Sequence, residues 1–218
     1  MTRRIGVMGG MFDPVHNGHL QAAMMARNAL QLDQLRMIPC HQPGHRAPAT
    51  CSSSQRLEML HLATSGMNHV IVDDREIRRG GYSYTVDTLE SLKAEFPDAV
   101  LVLVMGMDAF NSLPGWQRWQ RIFELAHIVV IGRPGYGIEP GSDIGGHLAR
   151  RLCDSVQAMF ERDCGSILVM DDLKSPLSST EVRRRIRAGI SVAEDVPQPV
   201  EAYLLKQGIY GGRARRES

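Results

Sequence analysis

Net charge, paired cysteines and long apolar runs are all missing from this 218-residue sequence. Its 25 Lys and Arg stand against 24 Asp and Glu, a formal net charge of +1. That balance lacks the broad positive field by which proteins hold nucleic acid or an anionic membrane surface, so neither is expected as a partner. The four cysteines, Cys40, Cys51, Cys153 and Cys164, are scattered without C-x-x-C spacing, which argues against a zinc ribbon or a dithiol redox pair. Cys40 and Cys51 stand near His41 and His45 and imitate a metal cluster, but loose thiols among polar loop residues are the better reading. No apolar run approaches the ~20 residues that a membrane-spanning helix needs. The opening "MTRRIGVMGG" has too short an apolar core for a secretory signal, so a reducing cytoplasm is the expected setting.

What is present looks globular. Hydrophobic residues make up 43% and charged residues 22%, ordinary values for a chain long enough to bury a sizeable core as one domain, or one domain with an appendage. Short apolar runs bounded by Gly, Pro, Asp or a polar residue predict strands at 5–8, 35–38, 70–72, 100–105, 128–131 and 167–170. Between them, helical spacing covers 18–30. The stretch "SSSQRLEMLHLATSG" opens on N-cap serines and ends at Gly66, "YSYTVDTLESLKAEFP" is closed by Pro97, and "WQRWQRIFELA" reads as a further helix. Residues 136–165 carry Gly, Pro and polar residues and read as a peripheral excursion, with one helix expected near 148–160. "SSTEVRRRIRAG" predicts a short helix between a Ser or Thr cap and Gly189, "VEAYLLKQGIY" a last packing helix, and "GGRARRES" a frayed tail. Alternating strands and helices imply parallel β-α-β units, and continuously apolar strands imply a sheet covered on both faces. The expected fold is therefore an α/β, Rossmann-like, doubly wound parallel sheet, whose ligands bind outside the carboxyl ends of the strands.

The stretch "GGMFDPVHNGHL" begins at the carboxyl end of the first strand, where a site belongs. Paired glycines let the backbone turn and bring N–H groups close to a ligand, and the helix that follows points its positive end to the same place. His16 and His19, three residues apart, can donate to phosphate oxygens there. Alone, they could equally be capping and packing residues. The spacing is not G-x-G-x-x-G and no G-x-x-x-x-G-K-[ST] loop is present, which disfavours a dehydrogenase and a P-loop NTPase. A second anion cradle lies far away in sequence, where Ser178, Ser179 and Thr180 open a helix with Arg183 one turn on. Arg184, Arg185 and Arg187 are expected to form a solvated face.

Together the two motifs resemble the nucleotidyltransferases with an H-x-G-H signature, and within them the bacterial nicotinate-nucleotide adenylyltransferases. "GGMFDPVHNGH" is similar to that family's G-G-[TS]-F-D-P-x-H-x-G-H, and "LSSTEVR" to its I-S-[SA]-T-x-[IV]-R. Between them "PCHQPGHRAP", "YSYTVDTL", "GMDAFNSLPGW" and "IGRPGY" match four further elements in order. Met11 departs from the family's Thr or Ser, and Gly44 replaces a proline.

The resemblance implies one nucleotidyltransferase domain over residues 1–212 with a flexible tail at 213–218. It implies transfer of the adenylyl group of ATP to nicotinate mononucleotide by in-line attack, without a covalent enzyme intermediate. His16, His19 and Arg183 would be catalytic. ATP would be held by Gly9, Gly10, Phe12, His16, His19, Gly106, Asp108, Ser179, Thr180 and Arg183. The mononucleotide side would be formed by His45, Arg46, Tyr84, Thr85, Trp116 and Arg133. Mg2+ would arrive bound through ATP phosphates, with no dedicated metal cage. Asp87 would have to face outward, because an inward carboxylate would repel an anionic substrate. Trp119, by contrast, reads as a core residue, and His61, His69, His127 and His147 match no motif and read as structural. The rival readings are nicotinamide-mononucleotide or phosphopantetheine adenylyltransferase, and a non-catalytic nucleotide-binding regulator. The S-Y-T-x-x-T-L and P-x-W elements argue against the phosphopantetheine enzyme, and the intact histidines and Ser-Ser-Thr-x-x-Arg element against the regulator.

Overall fold

The computed structural model describes residues 2–44, 47–132, 150–170 and 177–211. His45, Arg46, Arg133, His147, residues 136–149 of the excursion and the 213–218 tail lie outside the described residues.

Seven parallel strands form one sheet in the order β4-β2-β1-β6-β7-β9-β8. They are β1 (Arg4–Gly10), β2 (Gln34–Pro39), β4 (Val70–Val72), β6 (Val100–Gly106), β7 (Ala126–Ile131), β8 (Leu152–Cys153) and β9 (Ile167–Met170). All six expected strands are present. Strands β3 (Gln42–Pro43) and β5 (Tyr82–Ser83) make a separate parallel pair. From β1 the chain winds outward through β2 to β4, then returns to place β6 on the other side of β1. The order reverses between β1 and β6, and this is the switch point at which a doubly wound sheet leaves a crevice.

The strands lack polar alternation because both faces are buried. Strand β6 sends Val102 and Val104 into one core and Leu101, Leu103 and Met105 into the other. The first core is closed by helices α1 (Asn17–Ala29) and α2 (Ser53–Thr64) and by the carboxyl-terminal helices Ser179–Arg187 and Gln198–Lys206. The second is closed by α4 (Thr85–Glu95), α5 (Met107–Asn111) and α6 (Trp119–Leu125). Local signals set the ends. Ser52 and Ser178 accept the N–H of Gln55 and Glu181 as N-caps, and Gly66 and Gly189 take φ of +80° and +70° just past their helices.

Two expected helices differ. Among the described residues, 150–160 is not one helix: Leu152 and Cys153 pair with β9, and Ser155 caps a four-residue helix, Val156–Met159. The bare sheet edge beside β9 and a serine in cap position outcompete a weak helical period. The helix at "WQRWQRIFELA" begins at Trp119, because Leu113–Gly115 forms a 3-10 turn and Arg118 takes φ +48°. The short helix α3 (Arg75–Arg79) had no sequence signal beyond its charge.

Candidate active site

Gly9 and Gly10 end β1 and Gly106 ends β6, so both chains turn away at the switch point and leave a cleft of about 530 Å3. A Cβ added at Gly9 would meet nothing within 4 Å, so that position opens onto the cleft, whereas at Gly10 it would come within 3.1 Å of the Phe12 ring. The Phe12 ring, only 1% exposed, lies edge-on to His19 with centroids 5.1 Å apart. Phe12 therefore supports His19 more than it offers a surface to ligand.

His16 occupies the N-cap position of α1 in an extended conformation, φ −144° and ψ 168°. Its ring stacks on His19 at 3.7 Å and 29°. Both line the cleft, but His16 is 1% exposed while His19 is half-buried. The backbone N–H of His16 donates to Nδ1 of His19 at 3.2 Å. A neutral imidazole accepting at Nδ1 carries its proton on Nε2, so His19 presents a donor.

The second cradle, 160 residues away, is fastened to the first. Ser179 Oγ donates to the Pro14 carbonyl at 2.9 Å, and Arg183 Nη1 to the Asp13 carbonyl at 2.7 Å. Arg183 also donates through Nη2 to Thr180 Oγ1 at 3.1 Å. Ser178, Ser179, Thr180 and Arg183 line the cleft beside His16 and His19, so the amino end of one helix and the start of another face the same space. Arg184 pairs with Glu181, and Arg187 is exposed. Arg185, however, is not simply solvated: it binds Asp195 and the Ser191 carbonyl and closes the following loop.

Asp13 anchors this junction. Its buried carboxylate accepts from Thr50 N–H at 2.8 Å, Cys51 N–H at 3.2 Å and Tyr210 Oη–H at 2.6 Å. Burial pushes its pKa upward, but the Tyr210 hydroxyl and the two N–H groups outweigh that and hold it below the usual carboxylate value. Arg56, 1% exposed, joins two loops by donating to the carbonyls of Met11 at 2.8 Å and His41 at 3.3 Å. Sequence reasoning missed Tyr210, Asp13 and Arg56 as parts of the site. Arg56 looked like one polar residue on an amphipathic helix, and nothing in "KQGIY" announces a partner 197 residues away.

The other end of the cleft is lined by Glu76, Ser83, Thr85, Asp108 and Trp116. Trp116 is half-buried, packs on the second core and donates from Nε1 to Ser112 Oγ at 3.2 Å; Trp119 packs on that core and does not line the cleft. Tyr84 also lies outside the lining. It packs on the core and sits so close to Gly44 that a Cβ there would meet its ring at 2.8 Å, a physical partner for the proline-to-glycine departure. Asp87 faces outward to Arg118 at 2.7 Å, as charge repulsion requires. Glu76, also missed, is 6% exposed; burial raises its pKa while Thr88, Ser83 and Arg79 pull it back. His127 is fully buried and accepts from Ser166 N–H, and burial lowers its pKa to about 4. Among the described residues, no group of three or more His, Cys, Asp or Glu is placed to hold a metal ion, and no helix is long and apolar enough to cross a membrane.

Of the predicted site residues that are described, the cleft gathers Gly9, Gly10, Phe12, His16, His19, Thr85, Gly106, Asp108, Trp116, Ser179, Thr180 and Arg183. The cytidylyltransferase-like family model matches residues 7–185. A protein of Aeromonas salmonicida named "probable nicotinate-nucleotide adenylyltransferase" is 42% identical over 206 residues, covering 94% of this chain and 96% of that one. A protein of Methylococcus capsulatus with the same name is 42% identical over 208 residues, covering 94% and 99%. A solved Plasmodium falciparum nicotinic acid mononucleotide adenylyltransferase, complexed with NaAD, superposes with a TM-score of 0.74 at 15% identity, over 96% of this chain and 98% of that one. Its likeness bears on the fold. At 42% identity over nearly their full length, the relatives fix the family: this chain is a cytidylyltransferase-like protein and belongs to the nicotinate-nucleotide adenylyltransferases.

Proposed function

We propose that this protein transfers the adenylyl group of ATP to nicotinate mononucleotide, giving deamido-NAD and pyrophosphate, by one in-line displacement. The observation that carries the reading is the fastening of the Ser179–Arg183 cradle to the loop ahead of His16, through Pro14 and Asp13. It places donors from two distant motifs around one space large enough for a nucleotide.

The mononucleotide phosphate oxygen forms a bond to the α-phosphorus of ATP as the bond to the bridging oxygen breaks, and pyrophosphate leaves. No side chain need bond to phosphorus, so the chain's work is positioning and charge stabilisation. His19, with its Nε2 proton, donates to charge developing on the transferring phosphoryl group. Arg183 and the free N–H groups at the start of the Ser179–Arg187 helix hold the departing pyrophosphate. Trp116 covers the pyridine ring, and Thr85 at the amino end of α4 faces its carboxylate. His45, Arg46 and Arg133 complete the phosphate and mononucleotide contacts on the family resemblance. The Asp13 carboxylate is engaged by Thr50, Cys51 and Tyr210, so Mg2+ would be held through the ATP phosphates, whose charge it would neutralise. We further read residues 1–212 as one domain acting in the cytoplasm, a setting that suits cysteines scattered without paired spacing.

Incubation with ATP, Mg2+ and nicotinate mononucleotide tests the reading. Equimolar deamido-NAD and pyrophosphate are expected. ATP hydrolysis alone, or no reaction, would overturn it.

A further inference from the structure

We propose that Glu76 is a positioning residue for the mononucleotide end of the cleft, fixing strands β3 and β5 and the first turn of α4 through the hydroxyls of Ser83 and Thr88. The inference rests on the adenylyltransferase reading and adds to it a residue outside every motif of the sequence.

Glu76 is nearly buried, yet lines the cleft beside Ser83 and Thr85. Burying a carboxyl group is unfavourable unless its oxygens are hydrogen-bonded, and packing alone would be met by a leucine. An ionised carboxylate can only accept, and each hydroxyl has one proton to give. Thr88 gives its proton to Glu76 Oε1 at 2.6 Å, and the Ser83 side chain, on the same side of the cleft, helps to draw the carboxyl pKa down. The Thr88 oxygen is thereby turned into an acceptor, and Ser83 Oγ, which already accepts, has only its proton to offer the carboxylate. Ser83 Oγ accepts from His41 N–H at 2.9 Å, and Thr88 Oγ1 from Arg79 Nη2 at 3.2 Å. Glu76 thus sets the direction of the Thr88 bonds and offers the acceptor toward which the Ser83 proton can turn.

The consequence reaches the substrate. His41 immediately precedes Gln42–Pro43, which pairs with Tyr82–Ser83, and Thr85 opens α4 two residues after Ser83. One carboxylate therefore ties the 40–44 segment to the 82–85 segment and aims the latter's backbone at the cleft. With the hydroxyl protons committed to Glu76, the groups left to meet an anionic ring substituent are the backbone N–H groups at the start of α4.

Glu76→Gln keeps shape and volume but places an amide NH2 where an acceptor is needed, so one hydroxyl loses its partner. We expect KM for nicotinate mononucleotide to rise about tenfold while KM for ATP and kcat stay within about twofold, the signature of lost binding at one subsite. Thr88→Val and Ser83→Ala, which leave the carboxylate in place, should each raise the same KM by a smaller factor. They decide the matter if Glu76→Gln does not fold. An unchanged mononucleotide KM, or an equal rise in both KM values, would overturn the proposal. A wild-type protein that adenylylates neither mononucleotide would instead overturn the proposed function, and this role with it.

Discussion

At the scale of single residues, chemistry and packing can be separated. His19 is half-buried in the cleft with a donor at Nε2, while His16 lies almost buried beneath it. Losing one preorganised donor to a transition-state oxygen costs about 3 kcal/mol, so His19→Ala should lower kcat by a factor of hundreds with an unchanged circular-dichroism spectrum. Near-normal turnover in the folded variant would remove His19 from the mechanism. Arg183 and Arg187 give a paired comparison on one helix, since Arg183 binds Thr180 and the Asp13 carbonyl and Arg187 is exposed. Arg183→Ala should lose most of its turnover and Arg187→Ala almost none; equal losses would mean a diffuse basic face.

His127 tests burial rather than catalysis. Its folded pKa of about 4 lies below the ordinary imidazole value of 6.5, so the unfolded chain takes up the proton first. Its neutral form favours folding above pH 6.5, and that stability is lost as pH falls from 6.5 toward about 4. His127→Gln keeps an acceptor for Ser166 N–H and cannot titrate. Its melting temperature should fall less steeply across that window than the wild type's, and parallel curves would count against the assignment.

At the scale of elements, the strands and long helices were legible because periodicity and capping agreed, as at Ser52, Gly66, Ser178 and Gly189. The errors came where a local pattern met a stronger partner. Leu152 and Cys153 went to an open sheet edge, and Trp116 was left outside its helix by the turn at Leu113–Gly115. Two residues legible only as members of motifs, Asp13 and Pro14, turn out to be the fastening between elements. Nothing in a linear pattern identifies Tyr210 or Arg56 as their support, because a long-range hydrogen bond leaves no periodic trace. Asp13→Asn keeps the size but puts a donor against the donors of Thr50, Cys51 and Tyr210. Leaving buried donors unpaired costs roughly 1–3 kcal/mol, so we expect a lower urea midpoint together with reduced kcat. A midpoint within error of wild type would show that the loop does not depend on that carboxylate.

At the scale of the whole molecule, the doubly wound sheet and its switch point bring motifs at residues 9–20 and 178–183 to the same crevice. The class of reaction was legible because phosphate handling leaves a strong signature of Gly, His, Ser and Arg at helix starts. The choice of mononucleotide is written more faintly, in Thr85 at the amino end of α4 and in Asp87 turned away to Arg118. In the proposed arrangement Trp116 would cover either pyridine ring equally, so discrimination would fall to donors that suit a carboxylate and leave no acceptor for an amide. The most direct measurement is kcat/KM for nicotinate mononucleotide and nicotinamide mononucleotide, side by side with saturating ATP. A preference for nicotinate of at least about tenfold, or ~1.4 kcal/mol, is expected; equal efficiencies, or a preference for the amide, would contradict it.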